Sequence, residues 1–86
     1  MAVRALSSTL KTLAVCDIVA ASPKPLRLAD VVRASGDARA AVYQRLRTLV
    51  EAGLLDQTED GAFRLALRFQ FYAVRALEQA NLGERS

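Results

Sequence analysis

The residues best equipped for chemistry in this chain are Arg39, Tyr43, Gln44 and Arg47. At about 100° per residue they share the side of a helix opposite Val42, Leu46 and Leu49. A guanidinium offers fixed donors that match a guanine edge or a phosphate, and a glutamine amide can bond adenine with two hydrogen bonds. Tyr43 can stack on or bond to such a target, or pack beside the preceding helix. Gln44 and Arg47 are central on this face together with Ala40 and Glu51, while Arg39 and Tyr43 lie along one flank. Arg45 lies on the other flank, where its stem can follow the core edge with its head in water. Between residues 36 and 49 three arginines stand against one acid, Asp37. The pattern points to duplex DNA, with Arg39, Ala40, Tyr43, Gln44 and Arg47 facing it. Arg27 and Lys24 are candidate phosphate contacts of low specificity, with Lys11 and Arg64 behind them.

Other chemistries find no residues to run on. The chain has no histidine and a single cysteine, Cys16, which removes His-based acid–base catalysis, Cys/His metal sites and an internal disulfide. Asp17, Asp30 and the Asp56/Glu59/Asp60 group have no spacing to a nucleophile or phosphate loop. No enzyme activity, metal or cofactor is expected. Cys16 sits on an apolar helix face, as a small core residue would. Leu13-Ala14-Val15-Cys16 after Arg4 faintly resembles a lipoprotein signal, but Ser7, Ser8, Thr9, Lys11 and Thr12 interrupt any apolar region. With no bilayer-length apolar run and one unpaired thiol, a cytoplasmic protein without membrane contact is expected.

The elements that must position these residues are short. Helix 1 is predicted from about Ser8 to Ala21, capped by Ser7, Ser8 or Thr9, with Leu6, Leu10, Leu13, Cys16 and Val19 or Ala20 as its apolar face. Ser22-Pro23-Lys24-Pro25 ends it. Leu26-Arg27-Leu28 could add a short strand. A second helix over 28–35 buries Leu28, Val31 and Val32 and stops at Gly36. Asp37 is the expected N-cap of the arginine-bearing helix, about 38–52. Two strands, Leu54–Thr58 and Ala62–Leu65, fold around a two-residue Asp60-Gly61 turn. A final helix over Ala66–Leu82 is apolar almost all round, and Gly83–Ser86 is a polar end expected to fray. Helix, short turn, helix and β-ribbon make a mainly α winged helix-turn-helix with a small β-hairpin.

With 86 residues, +3 formal charge and 52% hydrophobic residues, one domain is expected, with residues 8–65 as its core and 66–82 as a dimerisation or linker helix. So small a domain cannot bury all that apolar surface. A homodimer using Leu6, Leu10, Phe69, Phe71, Tyr72 and Leu77 would cover it.

Pro25 to Val32, Ser35-Gly36, Val42-Tyr43, Leu46-Arg47-Thr48-Leu49, Glu51 to Leu55 and Asp60 to Leu65, taken in order, resemble the N-terminal DNA-binding domain of IclR-type bacterial transcription regulators. The resemblance covers roughly residues 8 to 82. It implies a dimer on a palindromic operator, with the family's effector-binding domain lying beyond this segment and no small-molecule effector site within it. This sequence departs from the family in three places. Gln44 stands where a DNA-contacting arginine is usual, and Arg45 stands where an aliphatic residue is usual. Ala62 replaces a common wing-tip arginine, leaving an acidic tip of Glu59 and Asp60. The N-terminal domains of small-molecule O-methyltransferases have a similar element order and bind no DNA, so a pure dimerisation module is the alternative.

Overall fold

The computed structural model describes residues 3–85, and the side chains of residues 3–81. Its elements run α1 (Ser7–Ala20), α2 (Leu28–Ser35), α3 (Arg39–Glu51), β1 (Leu55–Gln57), β2 (Phe63–Leu65) and α4 (Arg68–Arg85). This is the expected winged helix-turn-helix. α4 continues past Leu82 to Arg85, and Ser86 lies outside the described residues.

The core takes one face from each element from α1 to β2. Val15, Cys16 and Val19 of α1 meet Val31 of α2, Val42, Leu46 and Leu49 of α3, Leu55 of β1 and Phe63 of β2. The α3 stripe is the one its spacing predicts. On α1 the expected face splits in two. Cys16 and Val19 turn inward with Val15, whereas Leu6, Leu10 and Leu13 are 72%, 55% and 45% exposed. Both stripes repeat at helical spacing. The inner one consists of shorter side chains, packed against α2, α3 and the hairpin. Burial raises the pKa of the Cys16 thiol, and the neighbouring Asp17 charge raises it further.

Three cap and turn expectations are corrected. Leu6, not a hydroxyl residue, precedes α1, and Ser7 is already helical. Ala38 rather than Asp37 caps α3. Asp37 instead donates its N–H to Ser35 Oγ at 3.2 Å and accepts from Arg45 Nη1 at 2.9 Å. An ion pair reaching eight residues along the chain competes successfully with a local cap. The hairpin connection has three residues, not two. Thr58 N–H bonds Ala62 C=O at 2.7 Å, and Gly61 N–H bonds Thr58 C=O at 3.0 Å. Glu59, Asp60 and Gly61 therefore form the tip, the common three-residue alternative.

β1 and β2 pair antiparallel, Leu55 with Leu65 and Gln57 with Phe63. The extra strand shrinks to one residue, Leu26, bonded to Phe63 in both directions at 2.9 and 2.7 Å. That bridge ties the segment before α2 to the wing.

α4 leaves this core rather than covering it. Phe69 packs against the core, whereas Leu67, Phe71, Tyr72, Val74 and Leu77 remain exposed. A compact chain of this length would have a radius of gyration of about 12 Å, against the 15.3 Å observed. The start of α4 is fixed by Arg68, whose Nη1 bonds the C=O of Ala52 at 2.8 Å. The Arg68 guanidinium also lies 5.5 Å from the centre of the Tyr72 ring.

Candidate nucleic-acid interface

α3 presents a continuous exposed face. Val42, Leu46 and Leu49 hold its other side in the core, so Arg39, Ala40, Tyr43, Gln44 and Arg47 are all left exposed. Arg39 has no ion-pair partner among the described residues, and neither does Arg47. Glu51 stands one turn beyond Arg47, yet Arg47 turns the other way. Its Nη1 donates to Gln57 Oε1 of β1 at 3.1 Å. Gln57 Nε2 in turn donates to the C=O of Gly61 at 3.3 Å.

Arg45 is only 19% exposed and is neutralised by Asp37. Its expected place at the core edge holds, but its head meets a carboxylate rather than water. Arg27 does not stand free as a phosphate contact. Its Nη2 meets Asp60 Oδ2 at 2.8 Å, and its Nη1 donates to the C=O of Asp60 at 2.8 Å. Lys24 is exposed, two residues from Leu26, whose bridge joins this segment to the wing.

The wing tip is acidic in sequence but largely self-satisfied. Thr58 Oγ1 bonds Asp60 Oδ1 and accepts the N–H of Ala62 at 3.0 Å. The Asp60 carboxyl is held below its usual range by the Thr58 hydroxyl first, with the Arg27 charge contributing. Glu59 keeps an unpaired charge at the tip among the described residues.

Sequence reasoning passed over two parts of this surface. Gln57 is one. The alternation of a strand puts it on the side of Leu55, toward α3, and that was the available signal. The N-terminal half of α1 is the other. Ser8 and Thr12 line an open groove with Gln44, Arg45 and Thr48 of α3. Nothing local in the sequence connects these segments.

A helix-turn-helix with a hairpin wing and an exposed, arginine-bearing second helix is the architecture of a DNA-binding domain. The chain belongs to the IclR helix-turn-helix domain family, whose family model matches residues 8–59. The Agrobacterium tumefaciens repressor BlcR shares the fold, with TM-score 0.70, 24% identity and coverage of 79% of this chain and 27% of that one. A protein of Silicibacter sp. TM1040 assigned as an ICLR transcriptional regulator is similar at TM-score 0.67 and 30% identity, over 85% of this chain and 28% of its own. The chain thus spans under a third of either relative's length. No curated protein matches it. No helix among the described residues is long and apolar enough to cross a membrane.

Proposed function

We propose that this chain is one sequence-specific DNA-binding domain of a cytoplasmic transcription regulator, without enzymatic activity, with α3 in the major groove. Arg39, Ala40, Tyr43, Gln44 and Arg47 face the bases, and Lys24 meets phosphate. The chain acts as a homodimer through the exposed apolar faces of α1 and α4, Leu6 and Leu10 with Phe71, Tyr72 and Leu77. Such a dimer reads a palindrome whose half-sites lie about 34–36 Å apart. The observation that carries the reading is that Arg39 and Arg47 stand exposed on one helix face without acidic partners among the described residues, while Arg27, Arg33, Arg45 and Arg75 are paired.

Binding to random duplex DNA over a salt series tests it. Each phosphate neutralised contributes about −0.9 to the slope of log K against log salt. On random duplex, where Arg39 and Arg47 have no cognate base and meet phosphate, these two with Lys24 give about −2.7 per chain; recruiting Arg27 and Arg45 as well would give about −4.5. On a selected operator, Arg47→Ala should cost about 1–3 kcal/mol if Arg47 reads a base. No salt-dependent binding at all would leave the dimerisation module as the better reading.

A further inference from the structure

We propose that Gln57, on the wing strand, is a positioning residue that sets the base preference of Arg47 and so makes the wing an indirect part of the reading head. This rests on the DNA-binding reading above. Arg47 is on the outward face of α3, and its guanidinium is met by Gln57 Oε1 at 3.1 Å. The same amide spends its nitrogen on the C=O of Gly61 at 3.3 Å. Arginine has only donors and a backbone carbonyl only acceptors. A neutral side chain carrying one of each is what bridges them: a carboxylate would suit Arg47 and repel the carbonyl, and an ammonium the reverse. The far end of the bridge is itself anchored. Gly61 follows Asp60, which Arg27 grips through both its carboxylate and its carbonyl. A hydrogen-bonded path thus runs from the segment before α2, through the wing tip and Gln57, to the centre of α3.

The consequence concerns orientation rather than charge. A long arginine side chain free in water loses much rotamer entropy when it docks on a base edge. The Gln57 contact restricts that freedom before binding while leaving the guanidinium's positive charge intact. The acceptor is neutral, so it competes with a guanine edge less than a carboxylate would. Wing and reading helix therefore cooperate in specificity even though the tip has no cationic arm to reach phosphate.

The test is selection from a duplex library with a randomised 20-base-pair core, using the 86-residue chain and its Gln57→Ala, Arg47→Ala and doubly substituted variants. Wild type should select a defined motif, and Arg47→Ala should erase the preference at one base pair of each half-site. Gln57→Ala should weaken that same preference, roughly three- to tenfold as one lost hydrogen bond allows, and leave other positions alone. Its affinity for random DNA and its salt slope should not change, because no charge is removed. The double variant should be no less selective there than Arg47→Ala alone. Gln57 is exposed, so melting should be little altered, and a large drop with uniform loss at every position overturns the inference by making Gln57 merely structural. Full selectivity in Gln57→Ala, alongside loss in Arg47→Ala, overturns the bridge and leaves the DNA reading standing. Selection of no motif by wild type overturns both.

Discussion

Gly53→Ala should destabilise this domain well beyond the ordinary penalty for filling a left-handed position, because Arg68 occupies the space a Cβ would need. Gly53 joins α3 to the wing at φ +82°, and a Cβ there would come within 2.7 Å of Arg68 Nη1. Gly36 supplies the control: its φ is +74° and a Cβ would meet nothing within 4 Å. At either position the backbone cost of placing alanine in the left-handed region is about 1 kcal/mol. At Gly53 the long Arg68 side chain must also swing away, so steric overlap itself is cheaply relieved. What is lost is the bond from Arg68 to the C=O of Ala52, 2.8 Å long, and its stacking over Tyr72. An exposed charge-assisted bond is worth about 1–1.5 kcal/mol, which puts Gly53→Ala at about 2–2.5 kcal/mol against about 1 kcal/mol for Gly36→Ala.

For a domain of this size each kcal/mol lowers the melting temperature by about 4–8 °C. Thermal unfolding followed by circular dichroism should therefore separate the two alanine variants by about 4–12 °C. Repeating Gly53→Ala in an Arg68→Ala background removes the conflict, and there it should cost no more than Gly36→Ala. Equal melting points for the two single variants would refute the reasoning. So would an unchanged Gly53 penalty once Arg68 is gone.

Three further outcomes follow from the geometry. The lowered pKa of Asp60 means that stability from its contacts is present above the unfolded value, about 3.9, and is lost as pH falls through the folded value. Thr58→Ala, removing the largest cause, should raise the Asp60 midpoint in a carboxyl NMR titration; a wild-type midpoint at the ordinary value would contradict the hydrogen-bonded tip. Glu59→Lys should raise affinity for random DNA and leave melting unchanged, whereas Asp60→Lys should also lower the melting point by releasing Arg27. Identical melting of the two in the same scans would dismiss the clamp. Leu10→Asp and Phe71→Asp should shift the chain to monomer in sedimentation equilibrium, while Phe69→Ala, which cuts into the core, should chiefly lower the melting point. A monomeric wild type at high micromolar concentration would sink the dimer.

Much of the architecture was legible because a few local signals agree. Pro23 and Pro25 end α1, Gly36 separates α2 from α3, and Val42, Leu46 and Leu49 commit one side of α3 to the core, which fixes the outward face by elimination. What escaped reading was decided between segments. Asp37 is a good cap by type, but its carboxylate has a better partner in Arg45. α1 carries two apolar stripes, and which one is buried is decided by the α2, α3 and hairpin residues that cover Val15, Cys16 and Val19 and leave Leu6, Leu10 and Leu13 outside. Phe69 and Phe71 are two residues apart on one helix. Helical rotation sends the first to the core and leaves the second outside, so a list of aromatics could not assign both to the same surface.

The fold sorts the charges of this surface in a way that a count of arginines does not. Arg45 and Asp37 are paired where the Arg45 side chain is only 19% exposed, so separating them would leave that charge with little water in place of its partner. Arg45 is therefore the arginine of this face with the most to give up on meeting a polyanion. The Arg27–Asp60 pair has side chains 59% and 66% exposed. An exposed pair of this kind is typically worth about 0–1 kcal/mol, which a phosphate can match. Arg27 is thus available only at the expense of the wing tip it holds, whereas Arg39 gives up no ion pair among the described residues. Cationic reach on this face is graded by what each arginine must abandon, from Arg39 through Arg47 and Arg27 to Arg45. An acidic wing tip is compatible with DNA binding on these terms, because Asp60 is already engaged and, at the tip, only Glu59 keeps an unpaired charge among the described residues.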